Sequence, residues 1–218
     1  MRAEEVARYL QDNPGFFEQH ADLVANIVVP HPHGGRAISI TERQMVALRD
    51  KNRQLEGKMG ELLQFGEEND ALGAKMHRLA VGMVAARSFQ SVLHTLNLHL
   101  RDDFAVPHVA VRLWRHPEGR EELPEFAEVG EELQAFTDTL VQPFCGSTSG
   151  FDTSSWFGEA ATHVRSQGLI AMRDGGGGTL GMIALGSEDP ERFYAGMGTV
   201  YLERLGEMAA AALARVLG

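Results

Sequence analysis

Cys145 has the most reactive side chain in this sequence of 218 residues, and no other cysteine is present. A cysteine thiolate attacks electrophiles, and the sulfenic acid that forms on oxidation is normally resolved by a second thiol. Without a second thiol the chain also has no internal disulfide, which is typical of a reducing compartment. We expect Cys145 to be a small, half-buried residue of a pocket wall. A redox enzyme that uses it is the least favoured function.

Two glycine-rich segments resemble catalytic or phosphate-binding motifs, but their surroundings favour loops. The segment from Gly146 to Gly150 resembles the nucleophile elbow of hydrolases, yet Thr148 stands at its centre and no strand and helix flank it. The run from Gly175 to Gly178 offers backbone N–H groups, but no lysine follows at P-loop spacing. We expect a flexible polar loop at the first segment and a hairpin turn at the second.

Histidine pairs raise the question of metal binding. His31 and His33 are separated by Pro32 and lack a third ligand at a known spacing. His94 and His99 are five residues apart, which does not place them on one helical face. No metal site is therefore predicted.

Aromatic residues and one arginine make a better case for ligand binding. Trp114, Trp156 and Phe157 can stack against a flat ligand, and Arg112 can add a cationic contact. The alternative is that the two tryptophans merely fill the core. The predicted ligand-binding residues are Arg112, Trp114, Cys145, Trp156, Phe157 and Ser166.

The longest element that the sequence predicts is one helix from Thr41 to about Arg87, over residues 39–87, with the spacing of a coiled coil. Apolar residues and two asparagines recur every three and four residues, over a helix that would span about 70 Å. Asparagines on such a stripe can pair across a symmetric interface and fix its register, so we predict a parallel homodimer. The predicted dimerisation residues are Met45, Leu48, Asn52, Leu55, Met59, Leu62 and Asn69. The alternatives are a long helix packed along its own domain and a helix that bends or breaks near Gly66.

The charge balance argues against nucleic acid as a partner. Lys+Arg 20 against Asp+Glu 30 gives a formal net charge of -10, which opposes nonspecific attraction to nucleic acid and to anionic membranes. The basic residues between Arg43 and Lys58 are more typical of the solvated flanks of a coiled coil. The chain shows no apolar leader after Met1 and no run of about 18 apolar residues. We expect a cytoplasmic protein with no membrane partner.

The remaining residues divide into a short N-terminal region and a larger domain. Residues 1–38 are predicted as short helices followed by a linker from Pro30 to Gly35, where prolines and glycines oppose regular structure. Residues 88–218 are predicted as an α+β domain, in which both flanking helices cover one face of an antiparallel sheet and the other face builds a pocket. The predicted elements after the first helix of this domain are a strand over His108–Arg115, a helix over Glu131–Leu140, a polar loop over Cys145–Ser155, strands over Val164–Met172 and Thr179–Leu185, and a helix over Pro190–Leu217.

Five segments resemble the uncharacterised bacterial family known as domain of unknown function 484. They are the linker from Pro30 to Gly35, SITERQMVALRDKNRQLE from Ser39, PFCG from Pro143, VRSQGLIAM from Val164, and LGMIALGSEDPERFYAGMGTVYLERL from Leu180. The resemblance implies a helical N-terminal region and a GAF-like domain, a fold related to PAS that often binds small molecules. It implies no established reaction and no particular cofactor. Because some GAF-like proteins reduce free methionine sulfoxide through a cysteine, it also keeps the Cys145 enzyme among the alternatives.

The sequence therefore predicts a non-enzymatic regulatory module. In this interpretation a homodimer binds an unidentified small molecule in a GAF-like pocket, and the coiled coil relays the bound state to an unknown protein partner. The alternative is a structural adaptor whose pocket is filled by its own side chains.

Overall fold

The computed structural model describes residues 2–22, 40–114, 122–148, 150 and 153–217. The chain divides into two compact units, Met1–Gly60 and Glu61–Gly218. The predicted linker from Pro30 to Gly35, with His31 and His33, lies outside the described residues.

The first unit begins with two short helices, α1 (Ala3–Asp12) and α2 (Gly15–Gln19). Asn13 ends α1, and its side-chain amide donates to the Tyr9 carbonyl at 2.9 Å. Phe16 packs edge-on against Tyr9. No residue of either helix is buried. The prediction of short helices is confirmed where residues 3–22 are described.

The long helix, α3 (Ile40–Ala85), contributes to both units. It is 46 residues long and begins and ends within two residues of the predicted bounds. It continues through Gly66, so the break that the sequence allowed at this position is absent.

The second unit is an α+β domain, as predicted. Its helices are the C-terminal part of α3, α4 (Phe89–Asp102), α5 (Glu131–Thr139) and α6 (Val200–Leu217), with 3-10 turns over Pro124–Phe126 and Ser154–Thr162. Its strands are β1 (His108–Leu113), β2 (Phe144–Ser147), β3 (Ser166–Arg173) and β4 (Thr179–Ser187). They form one antiparallel sheet in the order β1-β4-β3-β2.

Side chains alternate between the two faces of this sheet. The helical face packs against α3, α4 and α6, and its strand residues include Val111, Leu113, Ile170, Met172, Ile183 and Leu185. The aromatic face packs against α5 and the 3-10 turn over Ser154–Thr162, and its buried strand residues are Ala110, Leu169, Met182 and Ala184. The expectation that this second face stays free is corrected, since aromatic side chains cover it.

Two element boundaries differ from the prediction. The predicted polar loop begins with β2, because Phe144 and Cys145 pair with Leu169 and Gly168 on β3. The last helix begins at Val200 and not near Pro190, because residues 188–199 form turns, with Gly196 at a φ of 90°. The hairpin between β3 and β4 is confirmed.

The side chain of Asp174 shapes that hairpin. Its Oδ1 accepts from the backbone N–H of Gly176 at 3.0 Å and of Gly178 at 2.8 Å. Gly177 has a φ of 84°, a conformation that glycine adopts without strain. The run of glycines therefore folds as a turn closed by the chain's own carboxylate.

Arginines cap the C-terminal ends of two helices in the second unit. Arg215 on α6 donates to the carbonyls of Met83, Val84 and Ala86 at 2.6 to 3.1 Å, at the end of α3. Arg173 at the end of β3 donates to the Leu140 carbonyl at 2.7 Å, after α5. Both satisfy carbonyls that have no partner within their helix.

Candidate functional site

The six predicted ligand-binding residues divide between the two faces of the sheet. Arg112 on β1 and Trp114 just after it lie on the aromatic face, where Trp156 and Phe157 cover them and their neighbours. Cys145 belongs to the core of the helical face. Ser166 also lies on the helical face, beside Phe193. The structure therefore brings four of the six together and separates the other two from them.

Arg112 and Trp156 form the central contact of the aromatic face. The guanidinium carbon of Arg112 lies 4.9 Å from the centre of the Trp156 ring, within cation–π range. Its Nη1 donates to the Val111 carbonyl at 3.0 Å. Burial lowers the pKa of Arg112, and the charge of Glu125 offsets part of that shift. A half-buried cation stacked on an indole is suited to bind a flat, electron-rich or anionic group.

Three buried polar atoms of this face have no hydrogen-bond partner among the described residues. They are His108 Nε2, Trp114 Nε1 and Gln167 Nε2. The other end of the Gln167 amide is held, because Thr153 Oγ1 donates to Gln167 Oε1 at 2.6 Å. Buried polar groups in folded proteins nearly always have a partner, so three without one on a single face point to missing acceptors or donors.

A shallow pocket of about 210 Å³ opens at the β1 edge of this face. It contains His108, whose Nε2 lies 3.9 Å from Glu188 Oε1, farther than a hydrogen bond. Its lining residues are Asn97, Arg101, Pro107, His108, Val109, Trp156 and Phe157. Two predicted residues therefore line a pocket, together with polar residues that the sequence analysis did not select.

Aromatic rings pack directly on two glycines of the aromatic face. A Cβ on Gly186 would lie 3.0 Å from the Phe157 ring, and one on Gly146 would lie 2.9 Å from the Phe144 ring. The absence of a side chain at these two strand positions lets the rings lie directly on the sheet. Phe157, packed on Gly186, consequently forms part of the wall of the pocket beside His108.

Cys145 and Ser166 are poorly placed for chemistry. Burial raises the pKa of the Cys145 thiol to about 11. At neutral pH this leaves roughly one thiolate in ten thousand, and the thiolate is the nucleophile. Ser166 Oγ donates to the Asp189 carbonyl at 2.6 Å and accepts from the Phe193 N–H at 3.4 Å. These bonds fix the turn after β4.

The functional candidates missing from the sequence analysis are His108, Thr153 and Gln167. Gln167 offered a signal, since it is an amide within the predicted strand over Val164–Met172, where most neighbours are apolar. Its burial on the aromatic face follows from the period of two in a strand. The Thr153 contact had no comparable signal, because it depends on a turn that the sequence analysis treated as a loop.

The predicted dimerisation residues lie along α3. Met45, Leu48, Leu55, Met59 and Leu62 are all exposed large apolar residues. Asn52 is exposed as well, and its amide lies 3.4 Å from Glu56 Oε1. Asn69 differs, because Tyr201 on α6 donates to its Oδ1 at 2.7 Å. The stripe is therefore uncovered up to Leu62 and contacts its own domain at Asn69.

Across the residues that the structure describes, no three histidine, cysteine, aspartate or glutamate side chains are grouped closely enough to hold a metal ion. None of the helices there has the length and apolar character needed to cross a bilayer.

Comparison with known proteins identifies a family and a curated relative. The family described as "Protein of unknown function, DUF484" matches residues 1–217. A protein of Salmonella typhimurium strain LT2, described as "Uncharacterized protein YigA", is 27% identical over 210 residues, which cover 93% of this chain and 87% of that protein. The similarity thus extends over the N-terminal helices, α3 and the α+β domain.

Proposed function

Because the chain belongs to the DUF484 family of proteins of unknown function, we propose a function from its own structure: it is a non-enzymatic, GAF-like regulatory module that binds a small molecule on the aromatic face of its sheet. The proposal includes a homodimer formed through α3, a cytoplasmic location and a protein partner that reads the bound state.

The observation that carries the proposal is the set of unpartnered polar atoms on the aromatic face. Trp114 Nε1 and Gln167 Nε2 are hydrogen-bond donors, and His108 Nε2 can donate or accept. Each buried polar group without a partner costs about 1–3 kcal/mol. A ligand with acceptor groups offsets that cost and gains the stacking offered by Trp156 and Arg112.

The relay part of the proposal is supported by the packing of α3. Its C-terminal part belongs to the same core as the helical face of the sheet. The exposed apolar stripe from Met45 to Leu62 continues along the same helix. A change in the domain that shifts the end of α3 would therefore move the exposed apolar residues that a partner contacts.

The unreactive state of Cys145 supports a non-enzymatic role. Its thiol is buried, its pKa is raised to about 11, and it faces away from Arg112 and Trp156. Replacing Cys145 with serine should leave function intact. Loss of function in that variant would favour the redox enzyme instead.

Intrinsic fluorescence tests the binding proposal directly, because the chain has two tryptophans and both lie on the aromatic face. The probes are nucleotides, a tetrapyrrole and amino acids. Tryptophan fluorescence and thermal shift measure their binding. We expect at least one probe to quench the tryptophans and to raise the unfolding temperature. Arg112→Gln should weaken that response, while Arg165→Gln, an exposed arginine, should not.

Native mass spectrometry of the protein from its own host provides the second test. A bound small molecule is expected on the wild type and should be lost in Arg112→Gln. Bare protein in both cases, with no response in the probe panel, would contradict ligand binding.

A structural adaptor is the second candidate, and one observation favours it. Phe157 and Phe144 lie directly on Gly186 and Gly146, so the chain's own rings cover part of the aromatic face. An adaptor predicts that no probe binds. It also predicts that Phe157→Ala lowers stability without changing a ligand response.

A further inference from the structure

The helical face contains a cavity distinct from the aromatic-face site. It has a volume of about 280 Å³ and lies among the last turns of α4, a turn of α3 and the segment leading into α6. Its lining residues are Leu72, Met76, Leu100, Phe104, Val106, Leu185, Arg192, Phe193, Met197, Gly198, Tyr201, Leu202 and Leu205. This volume approaches the lower end of the range for small-molecule sites, roughly 300–1,000 Å³.

Two cations contact Phe104, one of the lining residues of this otherwise apolar cavity. Arg192 lines the cavity, and its Nη2 donates to the Phe104 carbonyl at 2.6 Å. Lys75 Nζ lies 5.9 Å from the centre of the Phe104 ring. Among the described residues neither cation has a carboxylate within ion-pair distance. Positive charge beside an apolar space matches an anionic head carried on an apolar body.

The wall that carries Phe104 is held in a specific backbone conformation. Ala105 has a φ of 52°, the only positive value at a non-glycine among the described residues. The N–H of Val106 donates to the Leu100 carbonyl at 2.8 Å, which closes the end of α4 around Ala105. A left-handed alanine costs energy that the surrounding bonds must offset. The rim beside Arg192 is therefore fixed in place before any ligand arrives.

We propose that this cavity binds an amphipathic carboxylate, with the apolar chain among Leu72, Met76 and Leu202 and the carboxylate at Arg192 and Lys75. Such a ligand would touch α3 directly, at the turn where its side chains begin to be buried. The residues that line this cavity differ from those of the aromatic face, so this proposal can be tested independently of the proposed function.

The test is calorimetric titration of the full chain with octanoate, and with octanol as the uncharged probe of equal chain length. We expect octanoate to bind about tenfold more tightly than octanol, since a charge-assisted contact is typically worth that factor or more. Arg192→Gln and Lys75→Gln should each weaken octanoate binding about tenfold and leave octanol binding unchanged. Arg165→Gln is the matched control and should change neither.

Additional variants keep the test decisive if one arginine change disturbs the fold. Arg192→Gln removes the bond to the Phe104 carbonyl, whereas Lys75→Gln removes no described hydrogen bond. Met197→Trp should fill the cavity and abolish both titrations while the protein stays folded by circular dichroism. No binding of octanoate, equal binding of octanoate and octanol, or unchanged binding in Lys75→Gln would each overturn the proposal.

Discussion

The two halves of α3 have the same spacing of apolar residues in different surroundings. Leu48, Leu55 and Leu62 are 63%, 56% and 69% exposed. Leu79 and Met83, farther along the same pattern, are 0% and 3% exposed. The later residues pack in the core of the α+β domain, together with α4 and α6.

This difference shows what a heptad pattern can establish. It identifies a helix with an apolar stripe, but the stripe can pack against a second chain or against the domain that follows. In this protein the second half uses its own domain, which is the alternative that the sequence left open. The first half still has an uncovered stripe, and the dimer proposed for it applies to that half.

Leu79→Ala should give the largest effect, because it removes a fully buried side chain from the domain core. We expect a loss of about 2–5 kcal/mol in the free energy of unfolding. Urea unfolding followed by tryptophan fluorescence measures it.

Leu62→Ala is the matched control on the exposed half. It should change domain stability by less than about 0.5 kcal/mol. Any further loss in this variant should depend on protein concentration, as expected of a dimer contact. If Leu62→Ala and Leu79→Ala lose the same free energy of unfolding at every protein concentration, the two halves of α3 do not differ in what they pack against.

Leu48→Asp combined with Leu55→Asp should convert dimer to monomer. Carboxylates forced into an apolar seam lose hydration without gaining a partner. Sedimentation velocity measures the mass, and Val46→Asp places the same side chain outside the predicted stripe. The coiled-coil proposal fails if the double variant keeps the mass of the wild type or if the wild type is already a monomer.

Most elements could be predicted because their signals are local. The period of α3, the alternation in β1 and the glycine turn after Asp174 each lie within one segment. β2 could not be predicted in this way, because its residues after Phe144 are small and become a strand only by pairing with β3. The start of α6 was misplaced because Pro190 resembles a first-turn proline, whereas the actual start depends on the later turn at Gly196.

The candidate site was predictable only in its residue types. Arg112 and Trp156 were selected for cation–π chemistry, and they do lie 4.9 Å apart. Cys145 and Ser166 were predicted to bind the same ligand, but strand alternation places both on the other face of the sheet. The burial of Gln167 Nε2 without a described partner and the helical-face cavity depend on contacts between distant segments, which no local pattern contains.

Tyr201→Phe should have a smaller effect, at the point where the two halves of α3 meet. It removes the hydroxyl that donates to Asn69 Oδ1 at 2.7 Å, and a hydrogen bond of this kind contributes about 0.5–1.5 kcal/mol. Hydrogen exchange of the amides around residue 69 should accelerate along with a small drop in the unfolding temperature. Tyr194→Phe, at a half-exposed tyrosine whose hydroxyl has no described hydrogen bond, is the control. Equal effects of the two changes would show that the Asn69 contact does not hold α3.

Asp103→Asn should give the smallest effect, and its sign depends on pH. Hydrogen bonds from Arg78 on α3 and from His99 lower the pKa of Asp103 from 3.8 to about 2. Because the folded state has the lower pKa, the stabilisation is complete above pH 3.8 and is lost as the pH falls towards 2. The wild type should therefore exceed Asp103→Asn in stability at pH 5, and the two should converge near pH 2. Urea midpoints across this range measure the difference, with Asp102→Asn as the control.

The salt dependence of the stability difference between the wild type and Asp103→Asn tests whether Asp103 connects α3 to α4 through its charge. Arg78 and Asp103 are partly exposed, so solvent and salt screen their attraction. Added salt should shrink the difference at pH 5, while the Leu79→Ala loss should stay the same, because burial of an apolar side chain is not screened. A difference that persists unchanged at pH 2, or that grows as the pH falls, would show that Asp103 does not connect α3 to α4 through its charge.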